Sequence, residues 1–71
     1  MSKRNVDELK KTYNDIEKGN IDLFKLGQLY GMARCMYFGN SIKWDDVLSA
    51  INEHEYKKLL ELLKPVIRLY S

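Results

Sequence analysis

The stretch from Asp22 to Phe38, DLFKLGQLYGMARCMYF, most constrains what this chain can become, because it carries only Lys25 and Arg34 as charges inside a long apolar run. At about 100° per residue, Leu23, Leu26, Tyr30, Ala33 and Tyr37 fall on one arc of a helix and Leu29, Met32 and Met36 on another. A helix that is apolar round most of its circumference is expected to be buried. The third arc holds Gly27, Gly31 and Cys35, flanked by Phe24 and Phe38. Small residues at i, i+4 and i+8 would let another helix approach closely. Gly27 and Gly31 are therefore predicted helix-packing positions, and Cys35 reads as a small core residue.

The rest of the chain supplies partners for that helix. Asn5 followed by Glu8 is a capping-box pattern, and Val6, Leu9, Tyr13 and Ile16 make a narrow apolar stripe behind it. Opposite that stripe, Asp7, Lys11 and Asp15 alternate in sign as on a solvated face. Gly19 is a C-cap candidate, and Asn20 can open the next helix. Beyond Phe38-Gly39-Asn40-Ser41, Trp44, Val47, Leu48 and Ile51 repeat at helical spacing, with Asp45 and Asp46 where a helix start favours carboxylates. Asn52 and Glu55 repeat the capping-box pattern ahead of Tyr56, Leu59, Leu60, Leu63, Val66, Ile67 and Tyr70. Pro65 removes a hydrogen bond to Glu61, yet the period continues past it, which predicts a kinked helix rather than a break. No alternating strand pattern is present. The prediction is one all-α domain over 1–71, a compact bundle of about four helices at roughly 5–18, 21–38, 42–51 and 53–70.

Several function classes lack residues to carry them. A net charge of +2 is too weak an electrostatic footprint for nucleic acid, a single cysteine excludes an internal disulfide, and no run reaches the ~18 apolar residues of a membrane span. The charged N-terminus has no signal-peptide core, so a cytoplasmic location is expected; separately, a start at Met1 and a stop six residues past Pro65 give the expectation of a complete chain. His54 and Cys35 stand alone, outside any zinc spacing, and Gly27 and Gly31 lack the Lys-Ser/Thr of a phosphate loop, so no metal, cofactor or catalytic residue is predicted. Residues 26–32 partly fit a helix-turn-helix with Gly31 at the turn, but the recognition helix would be ARCMYFGN, a poor reader of bases. Lys57, Lys64 and Arg68 form a basic stripe that Glu61 interrupts.

What remains is surface for another protein. Leu62 and Leu69 join Leu59 and Val66 in a second 3-4-3 seam on the last helix. The seam is either sandwiched between neighbours or meets another chain. Arg34 sits among Tyr30, Tyr37 and Phe38, where its guanidinium either pairs with Asp45 or Asp46 or anchors a partner. Tyr30, Arg34, Tyr37, Leu62 and Leu69 are accordingly the candidate partner-binding residues. The expectation is a non-enzymatic module that docks on a larger host or regulatory protein and inhibits or otherwise modulates it. A DNA-binding regulator and a structural homodimer are the alternatives. Nine Lys against three Arg, with many Asn, Ile and Tyr, resemble the usage of A+T-rich microbial or phage genomes.

Overall fold

Four helices account for the architecture of the computed structural model, which describes residues 3–70: α1 (Lys3–Glu17), α2 (Leu23–Met36), α3 (Trp44–Asn52) and α4 (Tyr56–Leu69). The all-α prediction holds, and no strand occurs among the described residues. Two hairpins, α1–α2 and α3–α4, are joined chiefly by α1 packing along α4, with a smaller contact between α2 and α4. Leu9, Leu29, Leu59, Leu63, Val47 and Val66 are the largest fully buried side chains, one or more from every helix. The fold is 31 × 26 × 16 Å. At interaxial distances of about 8–10 Å, a 16 Å thickness holds two layers of helix, so each helix keeps a face outward.

The boundaries shift from the predicted ones for identifiable reasons. α1 runs back through Asn5 because Lys3 and Arg4 are themselves good helix formers. It ends in a Schellman turn: Gly19 takes φ +90°, its N–H donates to Ile16 O, and the Asn20 N–H donates to Asp15 O. Asn20 is thus spent closing α1. Asp22 caps α2 instead, its Oδ1 accepting from the Lys25 N–H at 2.7 Å. α2 stops at Met36, since Tyr37 is extended and the Tyr70 hydroxyl donates to the Met36 carbonyl, satisfying one of the last-turn acceptors. Ile42 enters the core ahead of α3, which starts at Trp44 with Asp45 and Asp46 in its first turn. On α3 the inward positions are Val47 and Ala50, whereas Leu48 faces outward.

A second Schellman turn closes α3, and here the left-handed position is filled by His54 at φ 59°. Its N–H donates to Ile51 O and the Glu55 N–H donates to Ala50 O. The expected capping box at Asn52 and Glu55 is therefore absent: Asn52 ends α3, and Glu55 precedes α4 without a side-chain cap. A side chain with a Cβ in this conformation costs about 1–2 kcal/mol. The exposed contact between His54 Nδ1 and the Tyr56 hydroxyl, 2.6 Å, offsets part of that. His54→Gly is expected to raise stability by about 0.5–1 kcal/mol in a thermal melt followed by circular dichroism. A lowered midpoint would mean that the contact with Tyr56 outweighs the backbone strain.

α4 continues through Pro65 as predicted. Next to the Glu61 carbonyl whose helical donor Pro65 removes, the Leu60 carbonyl accepts from the Tyr13 hydroxyl at 2.9 Å, which ties α1 to α4.

Candidate docking site

α2 buries one side and exposes the other. Leu26, Leu29, Ala33 and Met36 face the core. Leu23, Phe24, Gly27, Gly31, Arg34 and Cys35 all lie on the exposed side, within an arc of about 120° at helical periodicity. Leu23 and Phe24 are 83% and 77% exposed, and Phe38, just past the helix, is 86% exposed. The expectation that this helix is buried all round is thus corrected, because a two-layer fold has nothing to lay over its outer face. Gly27 and Gly31 are not internal packing positions either: a Cβ built on each meets no atom within 4 Å. Cys35 is exposed rather than core.

Arg34 stands at the C-terminal end of this face. Its Nη1 donates to the Tyr30 hydroxyl at 3.1 Å, and its Cζ lies 5.7 Å from the centre of the Tyr30 ring and 5.6 Å from that of Trp44. Tyr30 and Trp44 meet edge to face at 5.8 Å and 86°, so the two rings hold each other and the guanidinium. Among the described residues no carboxylate reaches Arg34 within 4.0 Å; the ion pairs are Lys25 with Asp15 and Lys58 with Glu55. Asp45 and Asp46 therefore do not serve as its counter-ions. With one N–H committed to Tyr30, the remaining donors of the fork are available to an incoming acceptor.

The structure separates the other predicted residues. Tyr30 joins Arg34, but Tyr37 does not: its hydroxyl bonds Ser41 Oγ, and its ring lies against Gly39, where a Cβ would collide with it. Trp44 takes the place expected of Tyr37. It arrives from another helix, so no spacing around Arg34 could have revealed it. The α4 seam dissolves as well, since Leu59 and Val66 are fully buried and Leu62 packs against the core, leaving Leu69, 59% exposed, on its own.

Two further features bear on chemistry. Between α1 and α4 an open cleft of about 290 Å³ is lined by Tyr13, Glu17, Lys57, Leu60, Glu61 and Lys64. Burial, then the Glu17 and Glu61 carboxylates, pushes the Tyr13 hydroxyl above its ordinary value, which keeps it protonated as the donor to Leu60. Lys57 and Lys64 thus share their surface with two acids and do not make a basic track. α2 also runs unbroken through Gly31, so the turn that a helix-turn-helix needs there does not exist. Among the described residues no three His, Cys, Asp or Glu side chains gather as metal ligands, and no helix is long and apolar enough to cross a membrane. No family model matches the chain, and no curated protein or solved structure matches it.

Proposed function

We propose that this protein is a non-enzymatic interaction module that docks on a larger protein through the outer face of α2 and modulates it by occupying its surface. One observation carries this reading: large apolar side chains stand in solvent beside an arginine that two rings hold in place and no carboxylate of the described residues neutralises. Solvent exposure of Leu23 and Phe24 is unfavourable in isolation and becomes favourable on contact. A guanidinium already fixed against Tyr30 and Trp44 loses less side-chain freedom when it meets a partner carboxylate, and arginine and tryptophan are frequent binding hot spots. Between them, Gly27 and Gly31 leave a shallow trough in which a partner's side chains or backbone can lie.

The test compares capture by immobilised wild type with that by Phe24→Ser, Arg34→Ala and Leu69→Ser, each first checked for an unchanged melt. A protein retained by wild type and Leu69→Ser should be lost from the other two, with Arg34→Ala weakening affinity by about 2 kcal/mol, roughly 30-fold. Retention that is indifferent to Phe24 and Arg34 would remove α2 as the docking face.

A further inference from the structure

We infer that, in the free protein, the outer face of α2 pairs antiparallel with the same face of a second copy of this chain. This deepens the docking reading above and rests on it. The face has an internal order that suits self-pairing. Gly27 and Gly31 are centred on position 29; so are Phe24 and Arg34, and so are Leu23 and Cys35. A two-fold axis at that position, with the helices antiparallel, brings glycine level with glycine at the centre. It also brings each exposed Phe24 ring level with the other copy's Arg34, and each Leu23 level with the other copy's Cys35. Closed dimers use one patch that complements itself in this way. A ring and a guanidinium at the same level can form a cation–π contact that the isolated chain leaves unmade at Phe24.

Charge selects the orientation. Arg34 is the face's own cation, and a parallel pair would place two guanidinium groups side by side across the axis. The antiparallel pair separates them by about 15 Å along the helix, beyond the screening length at physiological salt. The helix dipoles then oppose one another, which is also favourable.

The area sets the strength. At roughly 150–250 Å² per aromatic side chain, Phe24 at 77% exposure offers about 115–190 Å² per copy. With Leu23 and the glycine backbone, two copies bury on the order of several hundred Å², in the range of weak, transient association. Such a pair is weak and exchangeable, which suits a face that must open for a different partner.

Sedimentation equilibrium of the full chain under reducing conditions, from about 10 to 500 µM, tests this. The mass should rise from 8.4 kDa towards twice that value. Phe24→Ser should move the midpoint at least tenfold higher in concentration, and Leu69→Ser should leave it in place. The sole cysteine reports the orientation. A nitroxide on Cys35 should give a spin–spin distance of at least about 20 Å in the antiparallel pair, whereas a parallel pair would bring the labels together. Loss of the dimer on labelling would itself place Cys35 in the interface. A monomer throughout the range, a dimer indifferent to Phe24→Ser, or a short label distance would overturn the inference. A monomer whose partner capture still depends on Phe24 and Arg34 would overturn self-pairing alone and leave the docking reading standing.

Discussion

Replacing Gly27 and Gly31 together by alanine is expected to raise the thermal midpoint by about 5–15 °C, the opposite of what the sequence pattern implies. Each glycine sits inside a helix, where its backbone freedom costs about 0.5–1 kcal/mol relative to alanine. A Cβ at either position meets no atom within 4 Å, so nothing in the fold opposes the gain. Two such substitutions amount to about 1–2 kcal/mol, and in a domain of this size each kcal/mol moves the midpoint by roughly 4–8 °C. The same methyl groups fill the trough on the outer face of α2, so self-pairing and partner capture should weaken while the fold strengthens. Calorimetry and sedimentation on one preparation measure both. A lowered midpoint would show that a neighbour covers this face, and unchanged association would show that the trough is not used.

That divergence marks where the sequence stops being informative. A glycine stripe flanked by Phe24 looks the same whether a helix of the same chain lies on it or solvent does. Periodicity locates a face; it does not say what is opposite. The decision rests with the number of layers, and a chain that folds into two layers leaves α2 half bare. Within single helices the pattern was a good guide. Val6, Leu9, Tyr13 and Ile16 do turn inward on α1, and the period across Pro65 does persist. The turns were harder. Gly19 announces its left-handed conformation, whereas His54 adopts the same conformation with only the weak enrichment of histidine at positive φ to signal it.

Arg34 shows the same limit at the candidate site. That an unpaired arginine on an apolar helix needs an explanation was legible, and so was the participation of Tyr30 one turn away. The second ring was not, because Trp44 stands ten residues on, at the start of α3, and only the folded connector after α2 brings it to Arg34. Tyr37, adjacent in sequence terms, is drawn instead into the connector by Ser41. Local spacing singled out Arg34 with Tyr30 and misassigned the rest of its surroundings.

A graded series along α4 should separate core from surface within the seam that Leu59, Leu62 and Leu69 share in sequence. Leu59 is fully buried, and its replacement by alanine removes methylene contacts and leaves a cavity, at a cost of about 2–5 kcal/mol. Domains of this length have little stability to spare, so Leu59→Ala is expected to leave much of the protein unfolded at 25 °C. Leu62 packs against the core while partly exposed, so Leu62→Ala should cost roughly half as much, about 1–2 kcal/mol. Leu69 is 59% exposed in the last turn of α4, and Leu69→Ala should stay within about 0.5 kcal/mol of wild type. Urea unfolding of the three variants gives the order directly. If Leu62→Ala were as silent as Leu69→Ala while partner capture fell, the two leucines would form a docking edge on α4 after all, and α2 would no longer be the principal contact. If Leu62→Ala falls between the other two with capture intact, α4 is scaffold: its leucines hold α1 and α3 in place, and Phe24 and Arg34 are left to meet the partner.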